Sequence, residues 1–239
     1  MGILAEIDRS AQVSWRGGAS SASGTLSSSS SSGKSYLAAA TYDTSYSNVG
    51  NVLEVFTLDV AHGKLHEVTS VPLESPCHRV AWGAASTIAV GLDDGIVRVW
   101  DAAKLCKGVK DDTAVLFGAA SSATKKKHQG AVRGLEFNPG MKTLLASGAA
   151  DGEVLIWDLG ADPTKPTIHS PAGSSGGAPG AANKAGATTT AASASVDKAM
   201  TAEITDLSWN RKVQHILGTV NTHGVSVIWD LKQKKPVIS

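Results

Sequence analysis

Apolar residues in this chain come in short β-branched runs with near-alternating or continuous patterning, not at the three-to-four spacing of an amphipathic helix. Three runs share one form: Gly95-Ile-Val-Arg-Val-Trp100, Gly152-Glu-Val-Leu-Ile-Trp157 and Gly224-Val-Ser-Val-Ile-Trp229, each followed by an aspartate, Asp101, Asp158 or Asp230. Such runs predict strands. Asn51-Val-Leu-Glu-Val-Phe56 is a weaker fourth copy. Upstream of each lies a second predicted strand with an aromatic end: Val13-Ser-Trp15, Val80-Ala-Trp82, Leu135-Glu-Phe137 and Leu207-Ser-Trp209. The two aromatic slots lie eighteen residues apart for Trp82 and Trp100, and twenty apart for Phe137 and Trp157 and for Trp209 and Trp229. All six tryptophans occupy one slot or the other, which scattered core tryptophans would not do. A middle strand and tight turn sit between the slots, clearest in Leu144-Leu-Ala-Ser-Gly-Ala-Ala-Asp151-Gly152. Asp94-Gly95 repeats the turn, and in the last copy His223-Gly224 keeps the glycine that supplies a positive φ.

A repeat of this kind predicts an all-β, WD-repeat β-propeller, in which each blade is a four-stranded antiparallel sheet. About four blades of an expected seven are present: blade 1 about 10–59, blade 2 about 77–101, blade 3 about 128–159 and blade 4 about 203–231. Residues 1–239 are thus read as the amino-terminal part of one propeller, interrupted by long inserts at 17–35, 102–127 and 160–202. These inserts are poor in apolar residues, cannot offset the entropy of ordering, and are expected to be disordered loops.

Charge and composition narrow the function. Lys and Arg number 22 against 21 Asp and Glu, a net charge of +1 that implies no nucleic-acid partner. Cys77 and Cys106 are too few and too far apart for a disulfide framework or a metal knuckle, so a reducing, cytoplasmic setting is expected. The first residues turn acidic at Glu6, which fits neither a signal peptide nor a myristoylation motif, and no run is long enough to span a bilayer.

Four groups could carry chemistry. His128, Ser147, Asp151 and Trp157 include every residue type of a hydrolase triad, but no Gly-x-Ser-x-Gly elbow presents the serine. The resemblance to WD repeats implies instead a buried structural network in which Trp donates to Ser, Ser to His and His to Asp, and no catalytic residue, cofactor or metal ligand is expected. Asp94, Trp82, Trp100, Asp101, Asp158, Trp209, Trp229 and Asp230 are expected to serve structure in the same way. The stretch from Ser28 to Ser35 ends like a phosphate-binding loop, but lacks the leading glycine and a preceding strand. His62 and His66 have helical metal spacing, which Gly63 argues against, and Lys125-Lys126-Lys127 reads as a solvated run.

One string goes beyond a generic repeat: Trp209-Asn210-Arg211-Lys212-Val213-Gln214-His215-Ile216-Leu217. Together with Glu6-Ile-Asp8-Arg9 near the start, His128-Gln-Gly130-Ala-Val132-Arg133, and Leu145-Ala-Ser-Gly-Ala149, it resembles the large WD-repeat subunit of the COPII vesicle outer coat. That resemblance implies a non-catalytic scaffold supporting cage assembly and vesicle budding in ER-to-Golgi transport. It also implies propeller-propeller contacts at cage vertices, a small propeller partner bound through regions outside this chain, and membrane association only through the coat, at endoplasmic reticulum exit sites. The alternative is a WD-repeat adaptor of another complex, such as a ubiquitin-ligase substrate receptor or a ribonucleoprotein scaffold. With part of a ring present, the edge of the strand Ile3–Ile7 and the open faces of blades one and four would lie bare, and the chain alone is expected to be poorly soluble.

Overall fold

A computed structural model describes residues 11–16, 35–41, 50–83, 87–107, 115–117, 128–161, 167–169, 202–233 and 235–238. The described residues form four antiparallel sheets, each of four strands hydrogen-bonded in sequence order. The first holds β1 (Ala11–Trp15), β2 (Ser35–Thr41), β3 (Asn51–Asp59) and β4 (Lys64–Leu73); the second holds β5 (Cys77–Gly83), β6 (Thr87–Leu92), β7 (Val97–Asp101) and β8 (Val115–Phe117). The third comprises β9 (Val132–Phe137), β10 (Leu144–Ala149), β11 (Val154–Asp158) and β12 (Thr167–His169). β13 (Ile204–Trp209), β14 (Ile216–Asn221), β15 (Ser226–Asp230) and β16 (Lys235–Ile238) make the fourth. The architecture is that of WD-repeat propeller blades, with a single short helix, α1 (Ala102–Leu105), among the described residues.

Turn chemistry sets the hairpins between the second and third strands. Gly95, Gly152 and Gly224 take φ of 82°, 76° and 74°, the left-handed region that a side chain would strain, whichever residue precedes them.

The sheets extend past the expected blade limits. β4 carries the first sheet to Leu73, β8 and β12 lie inside the segments 102–127 and 160–202 expected to be loops, and β16 follows the expected end at 231. Ser35, placed in the first insert, opens β2, and α1 opens the second insert. Outer strands escape a pattern search for a physical reason. β8 and β12 are only three residues long and end in no Trp-Asp marker. The strand expected at Ile3–Ile7, the string at Glu6–Arg9, Ser28–Lys34, Lys125–Lys127 and most of the inserts lie outside the described residues.

The chain divides into two compact units, Met1–Lys127 and His128–Ser239. In the first, Val80, Ile88, Val90, Leu92 and Trp100 of the second sheet pack on Ala38, Ala40, Leu53, Val55, Val71 and Leu73 of the first. The second unit repeats the arrangement, with Leu207, Trp209, Leu217, Val227 and Trp229 of the fourth sheet against Ala146, Val154 and Ile156 of the third. Alternation sorts the faces: Ala38 and Ala40 turn to this core while Leu37 and Ala39 turn to the other side with Phe56. Each fully buried Leu, Ile or Val contributes about 1.5–3 kcal/mol, so the two stacked cores dominate the stability of their units.

Candidate functional site

A buried polar cluster lies in the third sheet. His128 sits just before β9, Ser147 on β10, Trp157 on β11, and Asp151 in the turn between those last two strands. The pairing Leu145↔Trp157 and Ser147↔Leu155 puts the indole and the hydroxyl on one face, two positions apart. Trp157 Nε1 donates to Ser147 Oγ at 2.8 Å, and Ser147 Oγ lies 2.8 Å from His128 Nε2. His128 Nδ1 meets both carboxylate oxygens of Asp151 at 3.1 and 3.2 Å. An ionised carboxylate only accepts, so Nδ1 carries the proton, and neutral Nε2 accepts from the serine hydroxyl. The relay runs from Trp to Ser to His to Asp.

Asp151 is the anchor. It also accepts from the backbone N–H of Gln129 at 2.8 Å and of Glu153 at 2.9 Å, tying the start of β9 to the β10–β11 turn. Burial pushes its carboxyl upward, but the hydrogen bond from His128 Nδ1–H, with these two amides, outweighs burial and holds it below the ordinary 3.8. A hydrolase reading would need Ser147 to reach a substrate, yet His128 and Ser147 are 0% exposed. Every polar atom of the relay already has a partner, so the geometry suits cohesion of a sheet.

Strand register locates the matching positions elsewhere. Thr219 pairs Val227 two positions past the Leu217↔Trp229 pair, and Trp229 Nε1 donates to its Oγ1 at 3.0 Å. Among the described residues the relay here goes no further than this bond, and His223 stands where the third sheet has Asp151. In the second sheet the register gives Val90, which cannot accept, and the buried Trp100 Nε1 has no partner among the described residues. The first sheet has Ala39 and Phe56 at these places. One full network therefore occurs among the four described sheets, in the blade that keeps all four residue types.

The other expected residues cap turns or build core. Asp94 accepts from the Ile96 amide at 3.0 Å, Asp101 from Ala103 at 2.8 Å as the N-cap of α1, and Asp158 from Gly160 at 2.9 Å. Asp230 accepts from Lys232 at 2.9 Å. Trp100, Trp157, Trp209 and Trp229 are buried and Trp82 is half-buried. His62 Nδ1 meets Asp59 at 2.7 Å in the turn between β3 and β4, while His66 lies on β4, so the pair shares no helix. Among the described residues no group of three His, Cys, Asp or Glu could hold a metal. Cys77 and Cys106 are free thiols, and burial pushes Cys77 up to about 12.

Sequence reasoning missed the side chains that join neighbouring sheets. Glu136, the residue before Phe137, accepts the Trp209 backbone N–H on Oε2 at 2.7 Å, and its carbonyl accepts from Trp209 Nε1 at 3.0 Å. Ser14, the residue before Trp15, does the same for the Trp82 N–H at 3.1 Å. The signal was positional: both precede the aromatic of the first slot, in a place whose residue type changes from copy to copy. Asn138, buried, donates from Nδ2 to the Gln214 carbonyl at 2.7 Å and accepts from the Gly140 and Met141 amides at 2.9 and 2.8 Å.

Comparison with known proteins bears on what these blades belong to. A family model described as "WD domain, G-beta repeat" matches residues 120–158. "Protein transport protein SEC31" of Dictyostelium discoideum is 32% identical over 201 residues, covering 78% of this chain and 13% of the relative. The protein of the same description from Coccidioides immitis is 32% identical over 244 residues, covering 97% of this chain and 16% of the relative. The chain belongs to the Sec31-like WD-repeat proteins. It spans less than a fifth of the length of either relative. A solved structure described as "COPII on membranes, outer coat vertex" matches 96% of the chain and 49% of its own at a TM-score of 0.62 and 20% identity, which shows the fold alone. In this Sec31-like chain the string Trp209–Leu217 has a structural use: Trp209 binds Glu136, Asn210 Oδ1 accepts from the Lys212 and Val213 amides, and the Gln214 carbonyl receives Asn138. The string that separates this chain from generic repeats thus supplies hydrogen bonds that join the fourth sheet to the third.

Proposed function

We propose that the chain is a non-catalytic structural scaffold of the COPII outer coat, supporting cage assembly and vesicle budding in ER-to-Golgi transport. The observation that carries this reading is 32% identity to a Sec31 relative across 97% of the chain. The buried quartet supports it too, since this triad-like cluster is consumed by sheet cohesion. On this reading the protein works on the cytoplasmic side of membranes at endoplasmic reticulum exit sites. Its propeller meets other propellers at cage vertices, and a small propeller subunit binds through regions beyond these residues.

Proximity labelling with the tagged full-length protein tests the assignment. Recovery of a small WD-repeat coat subunit is the expected result. Recovery of a ubiquitin-ligase core or of ribosomal particles, with no coat component, would replace it with an adaptor role.

A further inference from the structure

In the second unit, the β9–β10 and β13–β14 turns and the residues that follow β11 and β15 share one end of the two sheets, since Asn138 binds the Gln214 carbonyl, the Leu159 amide binds the Thr143 carbonyl and the Leu231 amide binds the His215 carbonyl. Lys142, Arg211, Lys212 and Lys232 are all exposed there. No carboxylate among the described residues pairs with any of the four. The acids nearby are occupied: Asp158 and Asp230 cap the turns that follow them. Between the cations, Met141 and Val213 are 46% and 40% exposed, on turns joined through Asn138 and Gln214. The opposite end of the same sheets carries Asp151, Glu153, Glu203 and Asp206 against Arg133. The unit is therefore electrically polar, with one cationic end that presents two apolar side chains.

From this we infer that the Met141–Val213 end is a docking surface for an acidic peptide segment carrying an apolar side chain. Charge complementarity sets the sign of the partner, and the two exposed side chains give it a place to seat an aliphatic residue. Turn geometry favours binding over mere solvation. Asn138 Oδ1 fixes the Met141 amide and Asn210 Oδ1 fixes the Lys212 and Val213 amides, so little order has to be gained on association. A membrane is the poorer fit, because surface insertion favours Trp, Phe and Leu, and the large apolar side chains exposed at this end among the described residues are Met141 and Val213. Recognition here depends on charge and shape and not on membership of a coat.

The test is fluorescence anisotropy on the full chain with a labelled peptide of glutamates around one central leucine. Binding that weakens as salt rises is expected, with a loss of roughly tenfold or more in the triple variant K142E/R211E/K212E and a smaller loss in M141S/V213S. All five positions are exposed, so unchanged thermal unfolding will show that both variants keep the fold. Equal binding by the triple variant, equal binding of a lysine version of the peptide, or no binding at all overturns the proposal. Capture of phosphatidylserine vesicles without capture of the peptide would reassign the patch to a lipid surface. Self-association abolished by the triple variant, with no peptide bound, would reassign it to a second copy's acidic end.

Discussion

A buried histidine is stable only while both ring nitrogens are satisfied, and His128 has a serine on one side and a carboxylate on the other. Replacing it with alanine leaves the Asp151 carboxylate with only the Gln129 and Glu153 amides and removes the acceptor of the Ser147 hydroxyl. His128→Ala is expected to cost about 1–3 kcal/mol, read as a lowered urea midpoint. His223→Ala, an exposed change at the Asp151-equivalent place of the fourth sheet, is expected to stay within about 0.5 kcal/mol. Equal losses in the two variants would mean that the quartet adds nothing. The same carboxylate predicts a pH dependence. Its folded value lies below the ordinary 3.8, so the stabilisation is complete above the unfolded carboxyl's value and is lost as pH falls through the folded one. Urea midpoints taken downward from about pH 5 should fall more steeply for the parent than for Asp151→Asn, which has no proton to gain there. The quartet was legible in the sequence because its spacing is local to one blade. Thr219 was not, because its role emerges only when strand register sets it beside Trp229.

In the second unit the two sheets approach closely where glycines stand. A Cβ added to Gly148 on β10 would lie 2.7 Å from Ile204 Cγ2, and one added to Gly134 on β9 would lie 2.9 Å from Leu207 Cγ. Both neighbours are branched, buried residues of β13 that cannot swing away. Gly148→Ala is therefore expected to destabilise by about 1–3 kcal/mol through overpacking. Gly218→Ala, with its nearest atom Ile228 Cδ1 at 3.5 Å, is the matched control that should change stability little. Thermal unfolding of the two variants separates the outcomes, and similar melting temperatures would show that the sheets slide apart without cost. Elements were readable where they carry an aromatic end and a glycine turn, as in the strands ending at Trp100, Trp157 and Trp229. β8 and β12 were not, since three residues cannot display a period. Contacts between sheets were the least legible, because Glu136 and Ser14 act through partners about seventy residues away and share no chemical type.

At the scale of the whole molecule, the aromatic of the first slot reports how each blade is covered. Trp209 and Trp82 both give their amide N–H to the inner strand of the preceding sheet, and Trp209 is 3% exposed. Trp15 occupies the same slot on β1 yet is 51% exposed, and its strand neighbour Val13 is 57% exposed. An apolar pair bare on a strand is a template for association, and a net charge of +1 supplies little long-range repulsion to oppose it. The chain expressed alone should therefore self-associate with rising concentration. The double variant V13S/W15S should lower that tendency without lowering the melting temperature, because neither side chain is buried to begin with. Light scattering across a concentration series measures the first effect and thermal unfolding the second. Scattering unchanged by the double variant would place the association elsewhere. The cationic Met141–Val213 end would then be the next surface to test, and added salt tells the two apart: it weakens a charge-driven contact and leaves or strengthens an apolar one.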